Sequence, residues 1–160
     1  MTSDEVVRLL AILAHDRLRV WVAGGWAVDA LVGRTTRPHG DLDLAVDAAQ
    51  LPELLELLQR AGFTVTVDWS PARIELRHAD GRCVDVHPVE FAPDGSGVQR
   101  GHEGPDFGYA PDGFTTGTIA HVPVPCLSVR QQLACRQGYP PRAIDEHDVA
   151  LLHSLAAWAD

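Results

Sequence analysis

The segment "RPHGDLDLAV", residues 37–46, sets Asp41 and Asp43 one residue apart inside an otherwise apolar alternation. In a strand, residues i and i+2 point to one face, about 6.5 to 7 Å apart, so the two carboxylates emerge together while Leu42, Leu44 and Val46 face a core. Each charge raises the cost of the other. A divalent cation removes that cost: Mg²⁺ takes a few carboxylates plus water and phosphate oxygens, and two such ions can hold the attacking and leaving oxygens of a displacement in line. An Asp-x-Asp alone is weak evidence, because 22 acidic residues supply such pairs readily and a solvated strand end explains one. Its surroundings add weight. Upstream, "AGGWAVDALVGRTTRP" reads as a strand, then Gly24 and Gly25, then a helix, which offers backbone N–H groups and a helix N-terminus to phosphate. Downstream, Asp85 falls on another expected strand and can complete a cluster of three carboxylates.

The elements that must position these residues are legible in outline. Thr2 and Glu5 fit a capping box, and Val6, Val7, Leu9, Leu10 and Leu13 recur at helical spacing, predicting a helix over 4–15. "RVWVAGG" predicts a short buried strand. "WAVDALVG" predicts a helix stopped at Gly33, and "LPELLELLQRAG" another, with Pro52 in its first turn and Gly62 beyond its end. "FTVTVDW", "ARIELRH" and "RCVDVHPV" are successive strand candidates. A two-residue turn on Asp80-Gly81 would set Leu76 opposite Asp85 and mix apolar with charged side chains. An odd-length loop instead puts Val84 and Val86 beside Ile74 and Leu76, and Asp85 and His87 beside Arg73, Glu75 and Arg77. Burial therefore predicts a three- or five-residue loop with Gly81 at positive φ. Residues 90–113 lack periodicity and read as a lid, a binding loop or disorder. "FTTGTIAHVPVP" suggests a hairpin. Ser128 with Gln131 predicts a capped helix ending at Gly138, and Asp145 with Asp148 a capped last helix through Trp158. This order indicates an α/β (α+β) protein, a mixed sheet flanked by helices.

Composition narrows the function classes. The 160 residues suit a single domain over 1–160, with C-terminal helices from about 128 packed on it. No apolar run reaches the ~18 residues of a membrane span, and the acidic N-terminus lacks the form of a signal peptide, so membrane association is not expected and the cytoplasm is. Thirteen Lys and Arg against 22 Asp and Glu give a formal charge of -9, which makes nucleic acid an unlikely partner and either attracts cationic small molecules or serves solubility alone. Cys83, Cys126 and Cys135 lack CxxC spacing and read as buried thiols. His15, His78, His102, His121, His147 and His153 show no metal-binding spacing.

Gly24-Gly25-Trp26 with Asp29, the "GRTTRPHGDLDL" block, "PARIELRH", "VDVHPV", "VPCLS" and "GYPPR" together resemble the small lincosamide nucleotidyltransferases, within the superfamily that also holds aminoglycoside adenylyltransferases. The likeness runs from Trp21 to about Asp148. It implies a DNA-polymerase-β-like nucleotidyltransferase fold, Mg²⁺, and ATP as co-substrate, with AMP passed to an antibiotic hydroxyl. By that resemblance Asp41 and Asp43 are metal ligands and Asp85 is the third carboxylate, either a ligand or the general base. Gly24, Gly25 and Trp26 lie where the nucleotide binds, although the superfamily often has serine at the position of Trp26. Arg34 and Arg37 are candidates to neutralise the β and γ phosphates. His39 and His87 either orient an aspartate or are structural, and an arginine beside Asp85 is expected to hold its pKa down. Acceptor recognition is expected from the 90–113 segment and the later helices, with Phe107, Tyr109 and Tyr139. "RQGYPPR" departs from the family, which carries histidine before Gly-Tyr. Lincosamide is the first acceptor and aminoglycoside the second. Rival readings are a toxin-type enzyme acting on protein or tRNA, a silent nucleotide-binding module and a DxD glycosyltransferase. A homodimer is compatible with the sequence.

Overall fold

The computed structural model describes residues 1–137 and 140–157. Helices α1 (Ser3–His15), α2 (Gly24–Val32) and α3 (Leu51–Arg60) alternate with strands β1 (Val20–Val22) and β2 (Leu42–Asp47). Then come β3 (Phe63–Trp69), β4 (Arg73–His78), β5 (Cys83–Phe91), β6 (Gly97–Gln99), β7 (Phe107–Tyr109), β8 (Phe114–Ile119) and β9 (Val122–Leu127), followed by α4 (Val129–Ala134) and α5 (Ala143–Ala157). The main sheet has the order β3-β4-β5-β2-β1-β9-β8, with β6 and β7 attached to the far end of β5. It is mixed, as expected: β2 runs parallel to β5 and β1 to β9, and the remaining pairs are antiparallel. No helix among the described residues is long and apolar enough to cross a membrane.

One sheet face carries the main core. Leu9 and Leu13 of α1, Trp26 and Ala30 of α2, and Leu54 and Leu58 of α3 close over Leu42, Leu44, Val46, Ile74, Leu76, Val84 and Val86. Each leucine fully buried there contributes about 1.5–3 kcal/mol relative to exposure. The alternate residues of β2 and β5 face the other way, so Asp43, Ala45, Asp85 and His87 share the opposite face. A smaller cluster of Ala45, Val89, Tyr109 and Leu127 fills the end of that face away from the aspartates.

Several expectations meet the structure directly. Thr2 and Glu5 form the capping box on α1, and Gly33 ends α2 in the left-handed conformation at φ 80°. The β4–β5 hairpin pairs Glu75 with Asp85 and Leu76 with Val84. Its loop is closed by the His78 N–H donating to the Arg82 carbonyl at 2.9 Å, which leaves three residues, 79–81, with Gly81 at φ 95°. The β8–β9 hairpin also forms, turning on Ala120 and His121 at positive φ.

Other expectations are corrected. Segment 90–113 is not uninterrupted loop: β6 pairs with Glu90 and Phe91 of β5, and β7 pairs with β6. Three-residue strands held by a long neighbour leave no periodicity to read. Helix α4 ends at Ala134, and its cap is half of the predicted box. The Ser128 hydroxyl accepts from the Gln131 N–H, but the Gln131 side chain bonds Ala110 N and Gly108 O and ties the β7 segment to α4. On α5, Asp145 reaches back to the Arg142 N–H at 2.9 Å, whereas Asp148 caps nothing and lies buried at 2 % exposure. The predicted endpoints Gly138 and Trp158 lie outside the described residues.

The sheet approaches α2 closely at Gly117 of β8, where an added Cβ would stand 2.6 Å from the Ala30 carbonyl oxygen. Gly117→Ala is therefore expected to destabilise the protein by about 1–3 kcal/mol, the usual range for overpacking, read as a lower urea midpoint at unchanged m.

Candidate active site

The parallel pairing of β2 with β5 sets Asp43 directly beside Asp85 and Ala45 beside His87. Asp43, Asp85 and His87 each offer an atom within 4.8 Å of the others, a spacing one cation can bridge. The His87 ring argues that the two carboxylates are the metal-facing members. Its Nδ1 lies 3.1 Å from the Gln99 amide nitrogen, while Tyr109 donates to Gln99 Oε1 at 2.8 Å and Gln99 Nε2 donates to Ala72 O at 3.1 Å. With the Gln99 amide fixed as a donor, the neutral imidazole accepts at Nδ1 and carries its proton on Nε2, which donates to Asp43 Oδ1 at 3.3 Å. His87 thus orients Asp43. Burial opposes the charged imidazole, but the Asp43 hydrogen bond and the charges of Asp43 and Asp85 outweigh it and lift the His87 pKa above its ordinary value.

Asp85 is buried, and Arg73 Nε donates to both of its oxygens at 2.7 and 2.6 Å while Arg73 Nη2 reaches Glu75. The expected depression of its pKa is corrected. Burial raises the Asp85 carboxyl above the usual aspartate range and outweighs His87 and Arg73. Asp41 also departs from expectation. The first β2–β5 pair is Leu42 with Val84, so Asp41 precedes the ladder, lies exposed on the cleft rim, and is not in the close group with Asp43, Asp85 and His87.

The N-terminus of α2 abuts these carboxylates. Ala23 N donates to Asp43 O at 2.9 Å, and the helix opens at Gly24 with φ 57°. A Cβ on Gly24 would be strained by that φ and would collide with the Asp43 carboxylate; one on Gly25 would collide with Arg37 Nη2 and the His39 ring. Both glycines exist for close approach, and both line the cleft.

Trp26 and Arg34 do not join them. The Trp26 side chain is 2 % exposed in the core and packs on His39 with ring centroids 4.4 Å apart, so only its backbone faces the helix end. Arg34 follows the far end of α2, roughly 13 Å of helix away at about 1.5 Å per residue, and lines a separate niche with Trp26, Asp29 and Thr118. Arg37 is brought back. Asp29 accepts from Thr36 N at 3.0 Å, from Thr36 Oγ1 at 2.6 Å, and meets His39 Nε2 at 2.5 Å, which folds the 33–39 segment onto α2 and returns Arg37 to the helix start. His39 therefore acts on Asp29 rather than on Asp41.

The cleft encloses about 830 Å³, and its remaining walls come from elements distant in the chain. Asp148 of α5 accepts two parallel bonds from Arg37, Nε to Oδ1 and Nη2 to Oδ2, both 2.9 Å, and one from Arg136 Nη2 to Oδ2, also 2.9 Å. Burial opposes ionisation of Asp148, yet these arginine hydrogen bonds prevail and hold its carboxyl below the usual range. On the opposite side Trp69 stacks on His102 at 4.4 Å, with Arg73 over the Trp69 ring. Phe107 is an exposed rim residue, whereas Tyr109 is 5 % exposed and spends its hydroxyl on Gln99. Tyr139 lies outside the described residues. Sequence reasoning missed Trp69, Gln99, Arg136 and Asp148 as cleft residues, and assigned nothing to His102. For Arg136 the only signal was its place in the "RQGYPPR" block, and Asp148 read as a helix cap.

Comparison with known proteins identifies the family. The family model described as aminoglycoside-2''-adenylyltransferase matches residues 5–152. A lincosamide resistance protein from Staphylococcus haemolyticus is 32% identical over 155 residues, covering 97% of this chain and 96% of that protein. A 2''-aminoglycoside nucleotidyltransferase from Klebsiella pneumoniae is 30% identical over 121 residues, 76% of this chain and 64% of that one. Among solved structures, the lincomycin-bound lincosamide antibiotic adenylyltransferase LnuA is similar at a TM-score of 0.86 and 32% identity, covering 97% of this chain and 98% of that chain. The solution structure of ANT(2'')-Ia shares the fold at a TM-score of 0.77 and 23% identity over 97% of this chain and 84% of that one. With paired carboxylates beside a glycine-started helix and a family match across nearly all its length, this chain belongs to the aminoglycoside-2''-adenylyltransferase family and is a nucleotidyltransferase.

Proposed function

We propose that this chain, as one cytoplasmic domain over residues 1–160, transfers AMP from ATP to a hydroxyl group of a lincosamide antibiotic in the presence of Mg²⁺. The observation that carries the reaction type is the pairing of Asp43 with Asp85 against the N-terminus of α2. The lincosamide acceptor is supported by the near full-length likeness to the lincosamide resistance protein and to lincomycin-bound LnuA.

Asp43 and Asp85 fit a divalent cation, because both are acceptor-only groups held on adjacent strands, with Asp41 on the rim of the same cleft. Bound there, Mg²⁺ would neutralise charge on the triphosphate. Gly24 and Gly25 let the Asp43 carboxylate and Arg37 close on the start of α2, whose first N–H groups would receive phosphate oxygens. Asp85 accepts the proton of the acceptor hydroxyl; its burial-raised pKa makes it a better base than a solvated aspartate. The acceptor oxygen bonds the α-phosphorus, the α–β bridging P–O bond breaks, and pyrophosphate leaves toward α2 and Arg37. Arg73 fixes the Asp85 carboxylate in the geometry that receives the proton. Most of the catalysis is positioning and charge stabilisation.

An aminoglycoside acceptor is the second reading, favoured by the family model. Labelled ATP, Mg²⁺ and panels of lincosamides, aminoglycosides and total tRNA separate these, with label expected on a lincosamide. Label on aminoglycosides instead would move the acceptor, and label on tRNA alone would end the antibiotic reading. Asp43→Asn is expected to lower kcat by roughly 10²–10⁴-fold while the metal-free melting temperature holds or rises slightly, since like-charge repulsion is relieved. Asp85→Asn should lower kcat by roughly 10²–10⁴-fold with KM for ATP little changed, as loss of a base requires; a large rise in KM would make it chiefly a metal ligand. Gly24→Ala should cost about 100-fold or more in kcat/KM, because its Cβ displaces the Asp43 carboxylate from the helix start.

A further inference from the structure

The wall of the cleft built by α4 and α5 holds polar donors that lack acceptors among the described residues. Arg136 is buried, with 8% of its side chain exposed. Its Nη1 donates to the Gln132 carbonyl at 3.1 Å and to Gln132 Oε1, and its Nη2 donates to Asp148. Its Nε has no partner among the described residues, and neither has the amide nitrogen of Gln132, which is 1 % exposed. Both residues line the cleft. A buried donor without an acceptor is costly to desolvate, and two on one cleft wall point to acceptor oxygens that arrive with a ligand.

The charge beside them says which kind. Arg37 and Arg136 share the Oδ2 oxygen of Asp148, so two guanidinium groups stand against the one carboxylate that both bond. Arg37 Nη2 in turn occupies the space where a Cβ of Gly25 would be, at the first turn of α2. Two fixed guanidinium forks, a helix start and two unpartnered donors match a polyanion with many oxygens, the chemistry of a di- or triphosphate.

We propose that Arg136 is a second cationic contact for the triphosphate of ATP and the departing pyrophosphate, held in place by Asp148, so that α4 and α5 complete the phosphate site begun by α2 and Arg37. This rests on the nucleotidyl-transfer reading above. Asp148 acts as a positioning residue: its two oxygens fix the plane of the Arg37 guanidinium, and its Oδ2 with the Gln132 oxygens holds that of Arg136. The arrangement also ties the phosphate site to packing, because Arg37 comes from the 33–39 segment and Arg136 from the turn that follows α4.

Calorimetric titration of inorganic tripolyphosphate, ATP and adenosine into the full chain tests the proposal. Arg136→Gln should weaken tripolyphosphate and ATP about tenfold or more while adenosine binding is unchanged, and Arg136→Lys should recover part of the loss. Asp148→Asn should raise KM for ATP more than it lowers kcat and leave KM for the acceptor alone. If Arg136→Gln proves unfolded by circular dichroism, Arg136→Lys carries the test: tripolyphosphate weakened severalfold with adenosine unchanged supports the role, and unchanged tripolyphosphate overturns it. Wild-type protein that binds neither ATP nor tripolyphosphate overturns the nucleotidyl-transfer reading itself. Wild-type protein that binds both, with Arg136→Gln binding tripolyphosphate equally well or losing adenosine in step, overturns only the role given to Arg136.

Discussion

Asp43 and Asp85 stand side by side because β2 and β5 run parallel in a register that their apolar residues enforce. Leu42, Leu44, Val84 and Val86 are fully buried on the far face, and a slip of one residue on either strand would turn those side chains into the cleft and the aspartates into the core. That penalty exceeds the repulsion between the carboxylates, which at roughly 5 Å and an effective dielectric of about 20 is ~3 kcal/mol. The core thus holds two like charges together, and the charges make a place for a cation.

Every other part of the site answers to that pair. Arg73 bonds both oxygens of Asp85, and His87, with its tautomer set through Gln99 and Tyr109, donates to Asp43. These contacts settle the carboxylates without filling the space between them and α2. Gly24 keeps the helix start within reach of Asp43, and the loop latched by Asp29, Thr36 and His39 delivers Arg37 to the same point. Two binding chemistries, acidic for a cation and basic for phosphate, therefore meet along one cleft, which suits a reaction in which a metal-bound triphosphate is split.

The basic wall depends on a buried ion triad. Asp148 is held between Arg37 and Arg136, and removing Asp148 would leave both guanidinium groups without their shared acceptor. Such a group does little for stability beyond what apolar packing would do. What it adds is direction, since forked arginine–carboxylate bonds restrict where the guanidinium groups point.

Much of the fold was legible because short-range rules decided it: the α1 capping box, the Gly33 stop, and the β4–β5 register that only an odd loop could reconcile with burial. The Asp-x-Asp on β2 and the strand carrying Asp85 were legible for the same reason, as alternation has a period of two. What failed was long-range. Arg34 and Arg37 look equivalent in sequence, yet one lies beyond the far end of α2 and the other at its start, because side-chain bonds to Asp29 fold the intervening residues back. Asp148 looked like a cap at the start of α5 and became the anchor of two arginines because α5 packs beside α2 and α4. The pKa of Asp85 went up where its arginine neighbours predicted down, since desolvation is set by everything packed around a group. The chain alone determined which residues carry the chemistry and which strands present them, through local hydrogen bonding and periodicity. The tertiary structure decided which of those residues meet, because that depends on how helices and strands far apart in the chain bury their apolar faces together.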